Sequence, residues 1–224
     1  MKKAFYIMVC YLVCLISDAQ ITISFRPMYG KQTVVWNDTL RLSPNADWIK
    51  LEKMKLYITD VAFFVGDSLV SREAESYHLL DSDDMSSFEV KVSTASHFNK
   101  LKFNIGVDSA ISAGGAMGGA LDPSKGMYWA WHSGYINMKL EGTSSLSKYP
   151  GHEFQLHLGG YQTPFNALQN KELLVSESRN IPVSIELDRF LTFALTVKDH
   201  VMSPSETAVL MSEKLRDCFI NANR

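Results

Sequence analysis

The residues best suited to chemistry in this chain lie in two short segments. One is GMYWAWHSGY, residues 126–135, where Trp129, Trp131 and His132 fall within four positions and are flanked by Tyr128 and Tyr135. The other is HEFQLHLGG, residues 152–160, with His152 and His157. Imidazole suits zinc, copper, iron and nickel. Native indole is no ligand, because its nitrogen only donates a hydrogen bond. It becomes one only after oxidation opens the five-membered ring and leaves an aryl amine. Unmodified, a Trp-X-Trp run is core packing or a platform on which an organic ligand stacks. If the run is extended, Trp129 and Trp131 share one face, and Tyr128, Ala130 and His132 share the other.

Several familiar chemistries fail on spacing. HEFQLH is not a zinc-protease helix, which needs histidines four apart. His152 and His157 are five apart, about 140° around an ideal helix, and an odd separation on a strand sends them to opposite faces. His157 is flanked by Leu156 and Leu158, whose side chains face the other way, and His152 follows Pro150-Gly151 in a turn. The glycine-rich SAGGAMGGALDP, residues 112–123, is no phosphate loop: Leu121-Asp122-Pro123 interrupts any following helix, and Lys125 lacks the Gly and Ser/Thr neighbours required. WHSGY lacks the preceding glycine of a nucleophile elbow. His78, His97 and His200 stand alone beside strand or loop segments.

The elements that must position these residues read as short strands. YINMKLEG (135–142) and EFQLHLGG (153–160) carry the site. ITISFRP, MKLYITDVAFFV, SYHLLD, FEVKVS, LKFNIGVD, IPVSIELD and LTFALTV show the same alternating or β-branched pattern. One helix closes the chain. Ser203 as N-cap, Pro204 at the first helical position and Glu206 three after the cap open it. Ala208, Met211, Leu215, Cys218 and Phe219 then recur at helical spacing, which puts Cys218 on the buried face. The expected architecture is mainly β: a single-domain antiparallel β-sandwich with a C-terminal α-helix, spanning residues 20–224.

Residues 1–19 read as a secretory signal. Lys2 and Lys3 precede an apolar run from Ala4 to Ile16, and Ser17-Asp18-Ala19 offers cleavage after Ala19. The run is too short to span a membrane, and no second apolar stretch could do so. Cys10 and Cys14 follow Val9 and Val13, which is wrong for a lipoprotein acceptor, so only Cys218 remains and no internal disulfide is possible. Losing Lys2, Lys3 and Asp18 leaves 20 basic and 23 acidic residues. No basic stripe survives, which excludes nucleic acid as a partner.

The opening ITISFRPMYG, the strand LYITDVAFFV, the block NIGVDSAISAGGAMGGALDPSKGMYWAWHSGYINMKLEG and the later FQLHLGG together resemble the MbnP-like copper-binding family. The likeness runs over most of the mature chain. It implies a β-sandwich exported to the periplasm or cell surface that binds one copper ion. Such a protein stores, scavenges or hands on the metal and is not an enzyme. The resemblance also implies that one tryptophan is oxidised to kynurenine by a partner di-haem enzyme of the cytochrome c peroxidase type. Copper is then held by histidine nitrogens and the kynurenine. Carried onto this sequence, the histidine of FQLHLGG is His157, the tryptophan is Trp129 or Trp131, and His132 lies within reach of that pair. By residue type Met127 is core filler or, as a thioether, a supplementary ligand. The rival reading needs no metal: the Trp pair and the glycine-rich loop form a module that stacks a sugar or peptide.

Overall fold

The computed structural model describes residues 19–41, 47–94, 97–131 and 134–223. The expected export signal, apart from Ala19, and His132 lie outside the described residues. In chain order the strands are β1 (Ala19–Tyr29), β2 (Gln32–Thr33), β3 (Thr39–Arg41), β4 (Trp48–Val65), β5 (Ser68–Arg72), β6 (Tyr77–Asp81), β7 (Glu89–Thr94) and β8 (Lys100–Ile105). They continue as β9 (Tyr128–Trp129), β10 (Gly134–Ser144), β11 (Glu153–Gly159), β12 (Gln169–Leu174), β13 (Asn180–Glu186), β14 (His200–Val201) and β15 (Phe219–Asn221). The helices are α1 (Ser109–Gly114), α2 (Leu187–Val197) and α3 (Glu206–Asp217).

The chain is mainly β, and its strands form two sheets. The smaller runs β15-β13-β1-β2, with β7 also paired to β1. The larger runs β12-β8-β4-β10-β11-β14, with β3, β5 and β6 on the long β4 and β9 on β10. Pairing is antiparallel except for β1–β13 and β11–β14, which run parallel. Alternation decides which side chains go inward. In β7 the valines and Thr94 are buried while Glu89, Lys91 and Ser93 are exposed. Ile21, Ile23 and Phe25 of β1 meet Leu101 and Phe103 of β8 in one core. Phe25 and Phe103 join the two sheets, their rings edge to face at 5.6 Å, and Phe219 packs on both.

Two local expectations are corrected. LTFALTV forms part of α2, not a strand. Leu187, Phe190, Leu191 and Ala194 are its buried residues, a helical spacing that the apparent alternation conceals. Its threonines satisfy their hydroxyls within the helix: Thr192 Oγ1 donates to Asp188 O at 2.8 Å and Thr196 Oγ1 to Phe193 O at 2.7 Å. The last helix, α3, starts two residues later than expected. Ser205 is the N-cap, its Oγ accepting from the Ala208 amide at 3.1 Å. Pro204 stays outside the helix, with its ring beside Gly160. α3 buries Ala208, Met211 and Leu215. Cys218 follows at 3% exposure, and burial pushes its thiol up to about 11.

Because Phe190 is fully buried, Phe190→Ala should cost about 3–5 kcal/mol of unfolding free energy. Thr192→Ala, on the exposed side of the same helix, should change it by less than about 0.5 kcal/mol. Urea denaturation of both variants checks the helical phase of this segment.

Candidate metal centre

The site is built on the outer face of the larger sheet. Along β10 and β11, Leu140, Leu156 and Leu158 point into the main core. Lys139, Glu141 and His157 take the alternate positions and the other face. On β4, Leu56 and Ile58 belong to the main core, and Tyr57 between them belongs to a second, smaller cluster. That cluster joins Tyr57, Val107, Leu121, Met127, Trp129, Tyr135 and Ile136. The glycine-rich segment and its flanks therefore lie folded back over the sheet.

Side chains of the sheet hold that cover by its backbone. Tyr57 Oη donates to Ala120 O at 3.0 Å, and Tyr135 Oη donates to Leu121 O at 3.0 Å while accepting from the Met117 amide. Lys55 Nζ reaches Lys125 O at 3.2 Å, and Lys139 Nζ reaches Gly126 O at 2.7 Å. Burial pushes the Lys139 ammonium below its usual range, opposed by the carboxylate of Glu141. At the start of the cover, Asp108 caps α1 by accepting from the Ala110 and Ile111 amides, each at 3.0 Å. Its other oxygen accepts a hydrogen bond from the Tyr77 hydroxyl at 2.9 Å.

The aromatic block does not run on as one strand. β9 stops at Trp129, and Ala130 and Trp131 enter a turn. The two indoles consequently differ: Trp129 is 5% exposed and Trp131 is 66% exposed, with ring centroids 5.8 Å apart at 45°. Trp129 pairs with Gly134, and its ring rests on Gly159. A Cβ at Gly159 would lie 2.8 Å from Trp129 Cζ3 and 2.7 Å from Tyr135 O. His157 stands on the same face of β11 two residues earlier, about 7 Å along the strand.

His157 is 6% exposed, and its Nε2 lies 2.7 Å from Glu141 Oε1. Its Nδ1 has no hydrogen-bond partner among the described residues. The His157 hydrogen bond holds the Glu141 carboxyl below the usual carboxylate range, against burial and with help from nearby Lys139 and Lys53. Met127 is 1% exposed, inside the outer cluster. His152 occupies the turn before β11 with its ring against Trp48 at 6.0 Å, on the far end of the strand from Gly159. Among the described residues no three of His, Cys, Asp and Glu converge as a ligand set. The structure thus brings Trp129, Trp131 and His157 to one region, whereas His132 lies outside the described residues. Sequence reasoning missed Glu141 and Gly159. Their signals were the polar phase of YINMKLEG, matching that of EFQLHLGG, and the glycine two residues after His157.

Two outcomes follow from this geometry. Gly159→Ala should destabilise the protein by about 1–3 kcal/mol and change the tryptophan emission, because Trp129 must leave its seat. Glu141 titrates at a depressed value when folded, so its contribution is complete above the unfolded value of about 4.3 and lost as pH falls through the folded one. Stability curves of the protein and of Glu141→Gln should therefore separate above about pH 4 and converge in stronger acid.

A family model described as MbnP matches residues 18–211. Among solved structures the chain is similar to MbnP from Methylosinus trichosporium, at 12% sequence identity and a TM-score of 0.50, with 79% of this chain and 78% of that chain covered. At that identity the likeness is one of fold. No sequence among curated proteins matches. The family model spans both sheets apart from β15, the outer cluster and the first half of α3, and by that match the chain belongs to the MbnP family.

Proposed function

We propose that this chain is an exported copper-binding protein that stores, scavenges or hands on a single copper ion, with no substrate turned over. Family membership supports the reading. The observation that carries it is the pairing of a nearly buried imidazole, one nitrogen without a hydrogen-bond partner among the described residues, with an indole packed two residues further along the same strand face. The donor chemistry fits: imidazole is a good copper ligand, and copper heads the divalent affinity series.

His157 would supply the first nitrogen, and His132, beside the tryptophan pair in sequence, a second. Trp129 is the indole to modify, since it packs beside the His157 face and Trp131 turns towards solvent. Conversion to kynurenine cleaves the indole C2–C3 bond and inserts two oxygen atoms, from one dioxygen or from two hydrogen peroxide molecules that leave two waters. Water then releases the former C2 as formate and leaves an aryl amine with a free lone pair. A di-haem peroxidase-type partner would supply the oxidising equivalents. The bound ion supplies no reaction step; the chain's task is to hold and release it. Export to a periplasm or cell surface belongs to the same proposal and rests on the sequence of residues 1–19.

The exposed Trp131 favours a second reading, in which the indole pair stacks an organic ligand beside the glycine-rich loop. One experiment separates the two: intact-mass and peptide analysis of protein from its native host, with copper measured on the same sample. The copper reading predicts near-stoichiometric metal and a net gain of one oxygen and loss of one carbon, confined to the peptide with Trp129 and Trp131. His157→Ala should lower copper affinity at least tenfold. Full affinity in that variant would defeat the assignment, and protein with neither copper nor modification would favour the stacking module.

A further inference from the structure

The two nitrogens of an imidazole are not equivalent, and the one that carries the proton is set by the partner of the other. At His157 the partner is present in the fold. Glu141 lies on β10, whose residues 139 and 141 pair with His157 and Gln155 of β11. Its carboxylate reaches diagonally to Nε2 at 2.7 Å. A carboxylate only accepts, so in the neutral imidazole Nε2 must carry the hydrogen and Nδ1 the lone pair. Glu141 stands at the Gln155 end of the strand and Trp129 at the Gly159 end. The two ring nitrogens open in roughly opposite directions, so the lone pair at Nδ1 points away from Glu141.

We propose that Glu141 is a positioning residue that fixes His157 as the Nε2–H tautomer and so presents Nδ1, not Nε2, to copper on the Trp129 side. The inference rests on the copper reading for its consequence but not for its geometry, which belongs to the metal-free chain. Several features make Glu141 suited to the task. It shares its strand face with Lys139, two residues away. It sits on a central strand, hydrogen-bonded on one side to β4 and on the other to β11. Its partner is nearly buried, so water competes little for the bond. Metal-bound histidines commonly give their second N–H to such a carboxylate, and losing that partner costs 10–100-fold in affinity.

The test has two arms on the full chain. Long-range 1H–15N correlation of the metal-free protein reads which nitrogen of His157 is protonated in the neutral ring. The expected result is Nε2–H in the native protein, retention in Glu141→Gln through its amide oxygen, and loss of the single tautomer in Glu141→Met. A proton on Nδ1 in the native protein, or an unchanged tautomer in Glu141→Met, would overturn the proposal whatever copper does. In the second arm Cu(I) is titrated against a competing chelator. Glu141→Met should bind about 10–100-fold more weakly, and Glu141→Gln should recover most of the loss. If His157→Ala loses affinity and Glu141→Met keeps it, the positioning role fails while the copper reading stands. If His157→Ala also keeps it, the copper reading fails and the tautomer arm alone decides what Glu141 does.

Discussion

The arrangement depends on a close approach that only a missing side chain permits. Trp129 has to fold back onto the outer face of the sheet that its own hairpin extends, and the place where its ring lands is Gly159. Any Cβ there would meet both the indole and the Tyr135 carbonyl within 3 Å. Once the ring is seated, the cover preceding it has a fixed end. The hydroxyls of Tyr57 and Tyr135 and the ammonium groups of Lys55 and Lys139 then need only take up its backbone carbonyls. Polar side chains on a sheet face usually end in solvent; here they are consumed in tethering a loop.

A β-sandwich has two outer faces that are free to be modified without disturbing the core, and this chain uses one of them. The inward residues of β4, β10 and β11 serve the main core, and their outward neighbours serve the aromatic cluster and the His157–Glu141 pair. Period-two alternation makes that division possible: adjacent residues of one strand answer to different demands. Lys139 does both local tasks, holding Gly126 and helping to keep Glu141 ionised.

Much of the fold was legible because burial and alternation coincide. FEVKVS is the clearest instance, with every second residue buried. LTFALTV misled for a definable reason: Leu191, Phe193, Leu195 and Val197 at alternate positions imitate a strand, while the buried set follows a helical turn. QNKELL gave no signal because β12 pairs with β8 alone, at the edge of its sheet, so its order comes from a neighbour and not from its own composition. At the site, His157 and the tryptophans stood out by residue type. The difference between Trp129 and Trp131 did not, because it arises from a turn that breaks the strand between them. Glu141 was invisible for another reason: an ordinary strand glutamate becomes informative only when the register with β11 is known.

Having two separate apolar clusters gives the domain two scales of stability. The main core joins both sheets and the buried faces of α2 and α3, so its loss is global unfolding. The outer cluster is small and is fastened by a handful of hydrogen bonds to carbonyls, so it belongs to the class of segments that open locally at a fraction of the global free energy. Residues 107–129 therefore add to the domain's stability separately from the sandwich core. Opening of that kind would bare Trp129 and the outer face of β10 and β11 with no change of fold.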